Sequence, residues 1–134
     1  SADKDGRMPL SYALSNGHGK IAELLINKGA PLDSPDKYGW TPLIYACRQG
    51  HRGVAELLID KGVALGSTDK VGWTPLTYAS AAGHLDVVKL LIDRGGRAIL
   101  ESTHQAGFTP LMAALNRGHL AIAKLLIEKG GESD

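Results

Sequence analysis

The chain has 134 residues, 43% of them hydrophobic and 22% charged, enough for one domain with an apolar core. Its 15 basic and 14 acidic residues nearly cancel, so bulk charge argues against nucleic acid or a membrane surface as partner. The lone cysteine, Cys47, excludes an internal disulfide, and no apolar run approaches the roughly 20 residues of a membrane span. A single thiol and no visible secretory leader make an intracellular compartment, cytoplasmic or nuclear, the expectation.

One pattern fills the chain in four in-phase copies. Gly6, Gly39, Gly72 and Gly107 mark the same point in each, at spacings of 33, 33 and 35 residues. A fixed period in this range signals a stacked repeat array. The expected boundaries are residues 3–35, 36–68, 69–103 and 104–134, within a single domain covering 1–134.

The first copy is degenerate. Met8 stands where later copies have a capping Thr, a loss of about 1 kcal/mol of local stability. Arg7 replaces the aromatic residue of later copies, and Gly19 weakens the start of the second helix. The second copy is regular. Thr41-Pro42-Leu43 opens a helix, Tyr45-Ala46-Cys47 continue it, and Gly50-His51 end it.

The third copy shows the pattern best. Asp69-Lys70-Val71-Gly72 reads as a tight turn, with Gly where φ > 0 is needed. Thr74 is a good N-cap, and Pro75 suits a first helical position that needs no N–H. A short helix from Leu76 to Ala81 is then ended by Gly83. A second helix runs from Leu85 to Arg94 and stops at Gly95. Its Leu85, Val87, Val88, Leu90, Leu91 and Ile92 crowd one side, while Asp86, Lys89 and Asp93 take the other. Each copy is thus a turn plus two antiparallel helices. Such short helices are unstable alone, so each copy must be covered by its neighbours.

Before the fourth copy the connection lengthens. Gly95 to Gly107 spans 12 residues, where Gly29 to Gly39 and Gly62 to Gly72 span 10. Two readings of residues 96–102 stay open: a tolerated loop insertion, or an extended finger touching a partner through Arg97, Ile99 or Leu100. The last helix, Leu120 to Lys129, is as apolar as the internal ones, and a polar tail follows it. Neither end has the polar outer face of a capping repeat. The expectation is a segment of a longer array, or one whose ends another molecule covers, with self-association through uncapped ends left open.

The order Asp-x-x-Gly-x-Thr-Pro-Leu-x-x-Ala, then Gly-His, then Leu-Leu-Ile-x-x-Gly, resembles the ankyrin repeat. The resemblance covers nearly the whole chain. It implies an all-α repeat solenoid of L-shaped units: β-hairpin fingers from the turns, a concave face from the first helices, a convex back from the second. It also implies a non-catalytic scaffold that binds another protein or peptide. One departure stands out. The position after Thr-Pro-Leu is often His in ankyrins and here is Ser11, Ile44, Thr77 or Met112, so the hydrogen bonds of that His are absent.

Chemistry-bearing constellations are few. His18, His51, His84 and His119 occur once per copy and lie about a repeat apart, too far to converge on one ion, so no metal is expected. Cys47 lacks the pattern of a paired base, and Asp3, Asp36 and Asp69 read as turn-fixing residues, one carboxylate per copy. No P-loop, zincin or nucleophile-elbow sequence occurs, so neither a cofactor nor catalysis is expected. The aromatics are the informative set, because none lies in a second helix. Trp40, Trp73 and Phe108 are repeat-equivalent and are expected to form a ladder beside the concave face. The expected partner-binding set is Lys37, Tyr38, Trp40, Arg48, Lys70, Val71, Trp73, Phe108, Asn116 and Arg117. Two rival functions remain: a receptor that stacks a nucleotide-like or cationic ligand on Trp and Tyr faces, and a structural spacer or self-associating array.

Overall fold

The computed structural model describes residue 6, residues 8–102 and residues 107–131. Asp3, Arg7, the start of the fourth copy at His104 and the tail after Gly131 lie outside the described residues.

Among the described residues the chain forms eight helices and no strand. In order they are α1 (Pro9–Ser15), α2 (Gly19–Asn27), α3 (Pro42–Gln49), α4 (Arg52–Asp60), α5 (Pro75–Ala82), α6 (Leu85–Ser102), α7 (Pro110–Arg117) and α8 (Leu120–Gly131). The starts of the first helices follow the sequence logic. Thr41, Thr74 and Thr109 accept a hydrogen bond at Oγ1 from the backbone N–H three residues on, each followed by Pro. Met8 offers α1 no such bond. Thr77 adds a reciprocal bond to the Thr74 backbone, closing a capping box, so in this copy the residue replacing the usual His does stiffen the turn.

The helices pair as α1/α2, α3/α4, α5/α6 and α7/α8, and the pairs stack. First helices pack on first helices in one row, and second helices on second helices in another. The first row is the closer of the two. Small buried residues permit that approach: Ala46, Ala79 and Ala114 sit at equivalent points of α3, α5 and α7. Larger side chains (Leu58, Leu91 and Leu126) fill the space between the rows. A stack tighter on one side curves toward it, which puts the first helices on the inner face.

The fingers are turns rather than paired strands. Asp36 N–H donates to the Trp40 carbonyl at 3.0 Å and Asp69 N–H to that of Trp73 at 2.9 Å, the closing bond of a hairpin. One backbone bond, Lys70 N–H to the Tyr38 carbonyl at 3.0 Å, ties successive fingers together.

The segment 96–102 differs from both sequence readings. It is neither a loop nor a finger but a further short helical stretch after a break at Gly96, whose φ of 62° and ψ of −154° are not helical. Gly95 is the last residue before that break, the point where the second helix is expected to stop. Ile99 is buried in the core. A Cβ on Gly95 would lie 3.0 Å from Ile99 and 3.2 Å from Leu65, so the missing side chain makes room for both. A buried Ile99 has no access to a partner.

Candidate partner-binding site

The fingers of the second and third copies are each built on a buried carboxylate. Asp36 Oδ1 accepts from the N–H groups of Tyr38 and Trp40, and its Oδ2 from the Tyr45 hydroxyl. Asp69 Oδ1 accepts from Val71 and Trp73, and its Oδ2 from the Tyr78 hydroxyl and from Trp40 Nε1 at 3.1 Å. A buried charge is tolerated when its lone pairs are satisfied this fully. Burial first, then the bond to Asp69, pushes the Tyr78 phenol well above its ordinary range. Every carboxylate oxygen of Asp69 is occupied by the fold, so this residue holds the turn and is not open to a ligand.

The aromatic ladder exists, but its rungs alternate between fingers and first helices. Trp40 sits edge-on to Tyr45 at 5.5 Å and to Tyr78 at 6.0 Å. Trp73 follows at 4.8 Å from Tyr78, and Phe108 stacks on Trp73 at 5.1 Å with 22° between planes. Tyr38 flanks the start at 5.4 Å from Trp40. Among the described residues no ring contact joins Trp40 directly to Trp73. Tyr78 of α5 intercalates between Trp40 and Trp73, a neighbourhood set by how the rows stack and invisible in linear spacing.

The two tryptophans therefore differ. The Trp40 indole N–H is committed to Asp69, and its face is covered by Arg48, whose Cζ lies 4.0 Å from the ring centroid. The Trp73 indole N–H has no hydrogen-bond partner among the described residues. Both rings are half-buried.

The remaining sequence-selected residues surround this ladder unevenly. Lys37 Nζ lies 5.1 Å from the Tyr38 ring. Lys70 and Val71 are exposed at the tip of the next finger. Arg48 and Arg117, from the ends of α3 and α7, line a cavity of about 220 Å³ with Trp73, Tyr78 and Ala81. Asn116 is exposed beside Arg117 but does not line that cavity. Sequence reasoning missed Ala81, whose small side chain opens the cavity floor, and Tyr78 as the wall between the two tryptophans.

The histidines serve the stack. His84 Nε2 donates to the Arg48 carbonyl of the preceding copy at 3.0 Å, and His119 Nε2 to that of Ala81 at 3.1 Å. Each binds a free carbonyl at a helix C-terminus. His51 Nε2, in contrast, is buried without a partner; the equivalent Ser15 carbonyl instead takes Gln49 Nε2 at 3.5 Å. No group of three His, Cys, Asp or Glu able to hold a metal occurs among the described residues. Cys47 is fully buried, and burial drives its thiol pKa far up, the opposite of a reactive thiolate.

No helix among the described residues is long and apolar enough to cross a membrane. No match to an individual curated protein was found. A family model described as ankyrin repeats in three copies matches residues 1–69 and again residues 61–134, so the two matches together span the chain. Repeats of this kind generally mediate protein–protein interaction and are generally non-catalytic. With the stacked helix pairs, the Thr-Pro helix starts and a sequence match over the whole length in agreement, the chain belongs to the ankyrin repeat family.

Proposed function

We propose that the chain is a protein-binding module that uses its finger and first-helix face, with Trp73 and Phe108 as anchors and Trp40 holding the fingers in place. One observation carries this reading. A continuous run of six rings, flanked by Lys37, Arg48, Lys70 and Arg117, is gathered on one face, and Trp73 still has an unused donor. Aromatic and Arg side chains supply most of the binding energy at protein interfaces. The described second helices carry no aromatic ring, and Arg52 and Arg94 there are exposed and paired with Glu56 at 3.4 Å and Asp60 at 2.8 Å, beside exposed Lys89. A cavity of about 220 Å³ suits one side chain, whereas drug-sized ligands occupy roughly 300–1,000 Å³. That favours a peptide over a nucleotide-like ligand. The test is affinity capture with the wild type, a Trp73→Ala/Phe108→Ala double variant and Lys89→Glu. A partner retained by Lys89→Glu and lost by the double variant supports the face. A partner lost by Lys89→Glu and kept by the double variant sinks it.

A second reading, head-to-tail self-association, is favoured by the end surfaces. Leu115 is 61% exposed, yet its equivalents Leu14, Cys47 and Ser80 are fully buried against the following copy. Ile127 is 58% exposed where Ile26, Ile59 and Ile92 are buried. At the other end Ile21 and Leu24 are exposed where Val87 and Leu90 are buried. A second copy would bury both surfaces with the geometry already used inside the stack. Sedimentation across a concentration series should show association that Leu115→Lys abolishes. A monomer at all concentrations removes this reading.

A further inference from the structure

We infer that the cavity between α3, α5 and α7 receives the carboxylate side chain of a Glu or Asp in a peptide partner. The inference rests on the proposed use of the finger and first-helix face. Arg48 and Arg117 both line the cavity, and neither pairs with a carboxylate among the described residues. Arg48 instead lies over the Trp40 ring, with the Tyr78 ring 5.6 Å from its Cζ. This fixes the guanidinium plane in advance and lowers the ordering cost of a bidentate contact. Trp73, whose N–H has no hydrogen-bond partner among the described residues, lines the same cavity.

The local charge selects the anion. Two guanidinium groups face the cavity, and the buried Asp69 carboxylate lies behind its Tyr78 wall. Two positive charges and one negative leave a balance of one, which a carboxylate cancels. A phosphate carries about −1.5 to −2 at neutral pH, more than the one net positive charge left by the two lining arginines and Asp69. Asp69 cannot satisfy the arginines itself, because its oxygens already accept four hydrogen bonds from Val71, Trp73, Trp40 and Tyr78. Beside the cavity, the stacked Trp73–Phe108 pair offers an apolar shelf for a neighbouring side chain of the same peptide.

The probe is a displayed library of random dodecapeptides, selected on the wild-type chain and measured by fluorescence anisotropy. Selected peptides should share an acidic residue. Replacing that residue by its amide should weaken binding on the order of tenfold or more. The same replacement should cost much less against Arg48→Gln/Arg117→Gln, a coupling that mere loss of folding cannot produce. Arg117→Gln alone, at an exposed site, gives the coupling test if Arg48→Gln unfolds the chain. Peptides that need Trp73 but carry no acid, or ignore its amidation, overturn this inference and leave the binding face standing. Peptides indifferent to Trp73→Ala and Phe108→Ala overturn both. Tighter binding of a phosphoserine version than of the glutamate peptide overturns the carboxylate assignment.

Discussion

Trp40 and Trp73 occupy the same point of successive repeats, but removing the indole N–H should affect them differently. Trp40→Phe deletes the 3.1 Å bond from Nε1 to the Asp69 carboxylate. A hydrogen bond to a charged group contributes about 1.5–3 kcal/mol. Asp69 keeps its donors from Val71, Trp73 and Tyr78, so the carboxylate is not stranded and the low end, about 1.5 kcal/mol, applies. Trp73→Phe removes an N–H with no partner among the described residues and keeps a ring to stack between Tyr78 and Phe108. Both changes shed the same part of a ring at half-buried sites, so that loss largely cancels in the comparison. Trp40→Phe should therefore be the less stable by about 1–1.5 kcal/mol. With a urea slope of about 1–3 kcal/mol/M, its midpoint should fall roughly 0.3–1.5 M below that of Trp73→Phe. Urea titrations followed by circular dichroism read this directly. Equal midpoints, or a lower one for Trp73→Phe, would refute the view that the Trp40–Asp69 bond fastens one finger to the next.

The repeat contacts make further expectations testable. Gly83→Ala imposes φ of 83° on an L side chain and puts its Cβ 2.6 Å from the His119 ring. It should cost about 1–2 kcal/mol for the backbone and about 1 more for the displaced His119 bond. Gly29→Ala meets open space at φ 91° and should cost only the backbone part, so equal melting shifts would contradict the His–Gly packing. Cys47 should resist alkylation in the native chain and react fully in denaturant, because it is buried and its thiol is held protonated; free-thiol rates under native conditions would show that α3 opens readily. Amide exchange should be fastest in α1 and α2, where Met8 gives no cap and the buried His51 Nε2 has no partner across the first interface. Uniform protection along the chain would disprove this.

The sequence by itself determined the elements and their order. Thr-Pro starts, Gly ends and apolar spacing are local signals, because a cap or a helix face is decided by residues a few positions apart. The period of the glycines determined that the units stack, while the residue pattern inside each copy and the family match over the chain gave the family. Tertiary structure decided what depends on the distance between copies. The alternation of Trp and Tyr along the ladder, the divergent fates of Trp40 and Trp73, and the cavity under Arg48 and Arg117 all arise where one repeat meets the next. The segment 96–102 shows the same division. Its extra length was legible in the spacing of Gly95 and Gly107, but its conformation was not. Ile99 folds inward because Gly95 and Leu65 leave it an apolar site, and a favourable burial that joins residues from two copies has no signature in either copy alone.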